Sequence, residues 1–194
     1  SNSITSSLDT DLPPLFVSIC NQKLSDPKTK KYSDAYLLYL ANVYFDVGDD
    51  EKLRRTMNQY KDYYATLKPK QQAILKNDTK YKLYDCYLNG NTEEFRSYYS
   101  KNPTKTKIQQ ITRIFTQARL DIVDGNVEQA REHYEYLAKT VPQLNYGKLA
   151  ILTLEKLNNG ESFETAINHS DIIPEIINIK IQSINPILVV LNIS

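Results

Sequence analysis

The stretch Ile108–Pro142, IQQITRIFTQARLDIVDGNVEQAREHYEYLAKTVP, decides the fold. Ile108, Ile111, Ile114, Phe115, Ala118 and Ile122 recur at helical spacing, which places them on one face of a helix. Asp124-Gly125-Asn126 then interrupts the pattern. Glycine adopts a left-handed conformation at a helix end without a Cβ clash, and Asp and Asn beside it favour turns and caps. Asn126 is expected to cap a second helix, with Gln129 completing a capping box. Val127, Ala130, Tyr134, Leu137, Ala138 and Val141 make the apolar stripe of that helix, and Pro142 ends it. Neither helix can bury its stripe alone, so the hairpin requires neighbours.

The neighbours are marked by the other glycine turns: Gly48 in VGDD, Gly90 in NGNT and Gly160 in NGES. With Gly125 they stand 42, 35 and 35 residues apart. A recurring step near 35 with helical pattern on each side of a glycine is the signature of stacked helix pairs. The expectation is an all-α protein, with seven to ten helices and no substantial sheet.

These residues resemble the tetratricopeptide repeat (TPR) family. That family places a bulky apolar residue, then a small one, before the turn glycine. An alanine, an aromatic and a proline follow it. The unit around Gly125 supplies Ile114, Ala118, Ala130, Tyr134 and Pro142 at those places. The first unit supplies Leu37, Ala41 and Tyr44 but has Leu53 where alanine belongs. The second keeps Tyr99 but has Leu83 and Phe95 at the small positions. The fourth keeps Leu149 but has Thr153 and Thr165. The resemblance covers about Tyr32 to Ser170 and implies a right-handed superhelix of antiparallel helix hairpins, a divergent TPR-like solenoid of about four units with irregular ends.

Read in order, residues 1–12 are a polar segment expected to be flexible, residues 13–185 the helical repeat domain and residues 186–194 an apolar extension. Ser1-Asn2 reads as a cloning scar, and the chain as a piece of a longer protein. Pro13-Pro14 opens a short helix, and SDPKTKKYSD is a loop whose Ser33 or Asp34 caps the helix to Val47. A partner helix follows to about Leu67. One helix is expected from Pro69 to Leu88, and Thr92 caps another that ends near Lys101. In the tail, Ile176, Ile177, Lys180, Ile181 and Ile184 are spaced for one more amphipathic helix.

Composition narrows the function. The 194 residues are 41% hydrophobic and 24% charged with a net charge of +1, an ordinary balance that argues against a dedicated polyanion binder. Twelve of the fifteen tyrosines lie between Tyr32 and Tyr99, interleaved with lysines. Acidic residues are interspersed among them, so tyrosines bridging core and solvent are favoured over a nucleic-acid stacking surface. Cys20 and Cys86 have neither metal spacing nor a CxxC partner, and Cys86 reads as a small core residue. His133 and His169 are the only histidines; His133 is expected on a wet face, and no catalytic motif is present. Glu93-Glu94 are expected to complement a helix dipole. No enzyme activity, cofactor, metal or small-molecule substrate is expected. Pro186 and polar residues interrupt the tail too often for a membrane span. Its apolar end favours self-association. The cytoplasm is the favoured location, with a soluble domain of a membrane-anchored protein as the alternative.

The resemblance also implies a site. In TPR-like stacks, residues ten, six and three before the turn glycine point into a concave groove. Carried onto this chain, Asn42, Phe45, Lys80, Tyr84, Tyr87, Phe115 and Arg119 would line a groove for a peptide or protein segment. Leu38 stands where the family's carboxylate clamp has its first lysine, so an internal or helical segment is expected in preference to a chain terminus. The alternative is an assembly or sensory domain of a membrane or envelope protein, in which the repeats mediate oligomerisation.

Overall fold

Each of the four turn glycines ends a helix in the same way. Gly48, Gly90, Gly125 and Gly160 have φ of 75°, 71°, 78° and 92°. At each turn the glycine amide donates to the carbonyl three residues back. The next amide reaches the carbonyl five back: Asp49 to Tyr44 at 2.9 Å, Asn91 to Cys86 at 2.9 Å, Asn126 to Asp121 at 2.8 Å and Glu161 to Lys156 at 3.1 Å. That pair of bonds satisfies carbonyls a helix end would otherwise leave open, and it requires the left-handed residue that glycine supplies.

The structure, a computed structural model, describes residues 12–172. The expected flexible segment before residue 12, the tail helix through Ile176–Ile184 and the extension 186–194 lie outside the described residues. Among the described residues there are ten α-helices and no strand. They are α1 (Leu12–Leu24), α2 (Ser33–Val47), α3 (Asp50–Ala65), α4 (Pro69–Lys76) and α5 (Thr79–Asn89), followed by α6 (Thr92–Lys101), α7 (Lys107–Val123), α8 (Val127–Thr140), α9 (Asn145–Asn158) and α10 (Phe163–Ala166). Two compact units divide the described residues: 12–85 with 170–172, and Cys86–His169.

The first unit is built on α2, which buries eleven of its fifteen residues. A helix apolar nearly all round needs cover on several sides. On one side Tyr36, Tyr39, Leu40, Val43 and Val47 pack with Cys20 of α1. On another, Leu37 and Leu38 pack with Tyr60 of α3, and Leu75 and Tyr81 close over them. Full burial of one such leucine contributes about 1.5–3 kcal/mol.

Two local expectations are corrected in this unit. The helix expected from Pro69 to Leu88 is broken at Asn77-Asp78. Asn77 Nδ2 donates to the Ala73 carbonyl, and Asp78 Oδ1 accepts from the amides of Lys80 (2.8 Å) and Tyr81 (3.2 Å), so one helix ends and the next begins. The added helix, α4, buries none of its residues and leaves Ile74 67% exposed. It accounts for the long step of 42 between the first two glycines. The expected loop SDPKTKKYSD holds a 3-10 helix, Pro27–Tyr32, capped by Asp26. Ser33 does not cap the helix it begins; it closes the 3-10 helix before it, its hydroxyl donating to the Lys30 carbonyl at 2.7 Å.

In the second unit α7, α8 and α9 pack against one another, and α10 adds one turn on α9. Phe115, Ala118, Leu120, Ala130, Tyr134, Leu137, Leu149 and Ala150 are buried there. Ile108 and Val127, read as core-facing, are half exposed, each in the first turn of its helix. Gly147 is needed for close approach: a Cβ on it would stand 1.8 Å from the Val141 carbonyl oxygen. Asn126 occupies the N-cap position of α8 but makes no side-chain cap bond, so the expected capping box does not form.

Candidate functional site

The seven residues expected to line a groove fall into separate contacts. In the first unit, α2 supplies Asn42 and Phe45, and α5 supplies Lys80 and Tyr84. The Tyr84 hydroxyl donates to Asn42 Oδ1 at 3.0 Å, and its ring lies 5.4 Å from that of Phe45. Phe45 and Tyr84 are buried, whereas Asn42 and Lys80 are half-buried. Burial pulls the Lys80 ammonium below the ordinary lysine range, and the nearby Asp46 and Asp78 carboxylates offset part of that pull.

In the second unit, the end of α5 supplies Tyr87 and α7 supplies Phe115 and Arg119. Arg119 is 1% exposed; it donates to the Tyr87 hydroxyl at 2.6 Å, and its guanidinium lies 4.9 Å from the centre of that ring. Phe115 packs at 4.5 Å on Tyr146 and edge-on to Tyr134 at 6.4 Å. Tyr87 and Phe115 are both buried. Of the seven, only Asn42 and Lys80 therefore combine a polar end with access to solvent; the other five are packed side chains that hold helices together.

A polar cluster that the sequence reading missed lies on α6, α7 and α8. Asp121 is 1% exposed, yet its carboxylate has two cationic or ionisable partners. Arg96 Nη2 reaches Oδ1 at 2.7 Å, and His133 Nδ1 lies 3.0 Å from Oδ2. The same guanidinium donates to Asp124 Oδ2 through Nη2 at 3.0 Å and Nε at 3.2 Å. Burial opposes the charge on Arg96, but its bonds to the two aspartates outweigh that and raise its pKa. Thr92, expected as a cap, is the first helical residue of α6, and its hydroxyl donates to Asp124 Oδ1 at 2.5 Å.

His133 is therefore half-buried against a carboxylate, which corrects its expected place on a wet face. The available signal was Asp121 itself, a charged residue between Leu120 and Ile122 ahead of Gly125. His169 is buried, with Nε2 2.9 Å from Thr153 Oγ1, whose hydroxyl donates to the Leu149 carbonyl at 2.8 Å. Glu93 and Glu94 lie in the first turn of α6, as expected for residues complementing a helix dipole. Cys20 and Cys86 are free and buried, Cys86 in the core as read, and burial pushes the Cys20 thiol well above its ordinary pKa.

Among the described residues no three His, Cys, Asp or Glu side chains are grouped to hold a metal ion, and no helix is long and apolar enough to cross a membrane. The class the structure defines is an all-α protein in which helices turn on left-handed glycines. Comparison with known protein families, with curated proteins and with solved structures finds no match.

Proposed function

We propose that the chain is a divergent TPR-like solenoid, a right-handed superhelix of helix hairpins, acting as a non-catalytic module that binds a protein or peptide segment. The observation that carries the reading is the repeated glycine turn: four turns with one hydrogen-bond pattern, the last three on a 35-residue step. Repetition of a helix pair creates an extended surface, and binding is the use to which such surfaces are suited. Asn42 and Lys80 are the proposed polar contacts. Phe45 and Tyr84 are proposed as the layer that supports them within the first unit, and Tyr87, Phe115 and Arg119 as packing within the second.

The test is selection of peptides from a display library on the purified chain, followed by titration of an enriched peptide. Binding weakened about tenfold or more by Asn42→Ala with Lys80→Ala, in a variant of unchanged helicity, supports the site; a factor of ten corresponds to about 1.4 kcal/mol. Equal affinity for wild type and variant removes these residues from the site, and absence of any enriched peptide removes the function. The alternative of an assembly domain rests on the apolar run Ile187–Ile193. It predicts a defined oligomer by light scattering that becomes a monomer when residues 186–194 are deleted.

A further inference from the structure

We infer that α6 is a latched element, held closed by Arg96 and able to open while α7, α8 and α9 stay folded. The inference stands apart from the peptide-binding reading and uses only contacts inside the second unit. Three observations carry it.

The first is how little apolar surface ties α6 down. Only Thr92 and Phe95 are buried on it, against seven residues on α7. Much of its aromatic packing is internal, since Phe95 lies 4.8 Å from Tyr99 and 5.7 Å from Tyr98 of the same helix. Contacts of that kind survive when a helix moves as a body.

The second is that the bonds between α6 and α7 are mostly polar. Arg96 spans Asp121 and Asp124, Thr92 reaches Asp124, and Arg113 Nη1 donates to the Tyr99 carbonyl at 3.3 Å with its guanidinium 4.2 Å from the centre of that ring. Charge-assisted bonds of fork geometry are strong but directional, so they are made or lost together with a small displacement. Both flanks of α6 permit that displacement: Asn89, Gly90 and Asn91 are exposed, as are Asn102, Pro103 and Lys105.

The third is the second partner of Asp121. A buried carboxylate stripped of its only cation is costly, which would make Arg96 a fixed pillar of the unit. Here Oδ2 faces His133 on α8, so Asp121 keeps a hydrogen-bond donor when Arg96 leaves with α6. With the carboxylate ionised, Nδ1 of His133 carries the proton that is shared. Opening uncovers Arg113 and Asp121 of α7 and Asp124 just beyond its end.

Hydrogen exchange followed by mass spectrometry on the full chain tests this, with wild type, Arg96→Met and Arg96→Lys. In wild type, amides 92–101 are expected to exchange ahead of those in 107–140. Arg96→Met is expected to speed exchange in 92–101 about tenfold, the factor set by losing a charge-assisted bond, while α7 to α9 change by less than about twofold. Arg96→Lys, which keeps the charge and loses the fork, should fall between them. Three results overturn the latch. One is exchange of α6 and α7 in step in wild type, and another is loss of protection throughout the unit in Arg96→Met. The third is an α6 unaffected by either substitution.

Discussion

Four residues before the turn glycine, the first hairpin carries Tyr44 and the third carries Asp121. The two positions serve the same turn, since each supplies the backbone carbonyl that accepts from the residue after the glycine. Their side chains do opposite things. Tyr44 packs at the edge of the apolar cluster between α1 and α2, and Lys52 of α3 lies 5.9 Å from the centre of its ring. Asp121 is buried and gathers Arg96 and His133 from the helices on either side of α7. One hairpin geometry thus accepts two kinds of adhesive. Apolar contact is non-directional and tolerates small shifts, whereas charge-assisted bonds are directional and are made or lost with a small displacement.

The strongest test of that contrast compares the two adhesives directly. Leu40→Ala, in the apolar cluster of α2, is expected to cost about 2–5 kcal/mol, because the lost transfer energy and the cavity add. Asp121→Ala should cost less, about 1–3 kcal/mol, since Arg96 is one-third exposed and regains water when its partner is removed. Urea unfolding read by circular dichroism gives both numbers. A larger loss for Asp121→Ala would make the ion cluster, and not apolar contact, the main support of its unit.

Gly147→Ala is expected to cost as much as Asp121→Ala, about 1–3 kcal/mol, because backbone must shift to relieve the contact with Val141. The second unit would be packed differently there if this variant melts with wild type. At the turns the effect shrinks: Gly125→Ala should cost about 1–2 kcal/mol, purely from the left-handed backbone, since nothing lies near the added methyl. The same substitution at Gly90 should cost a similar amount, and a twofold or greater disparity in their melting shifts would show that the turns are not equivalent. Smallest of all, Ile74→Ser on α4 should change stability by less than about 0.5 kcal/mol. A loss well above that would place α4 in a contact that the exposure of Ile74 does not reveal.

The local grammar of the chain was legible because its signals act over a few residues. Helix type follows from apolar spacing, and each turn follows from a glycine that alone tolerates the required φ without strain. The break at Asn77-Asp78 was harder to read. Both residues compete with the helix through their own side chains, and that competition is decided by local hydrogen bonds weaker than a proline or a glycine.

What a helix residue touches is a different matter. Asn42, Lys80 and Arg119 are polar residues at helical spacing, and nothing in the spacing distinguishes a partner across a helix interface from a ligand in solvent. Asn42 accepts from Tyr84, 42 residues away, and Arg119 donates to Tyr87, 32 residues away. Asp121 is joined to Arg96 over 25 residues and to His133 over 12. By itself the sequence determined that this protein is helical, where its glycine turns lie, and that its stripes must be buried. Only the tertiary structure decided which polar residues those stripes carry inward, because a hydrogen bond between distant residues depends on how helices are placed together and leaves no periodic trace in the chain.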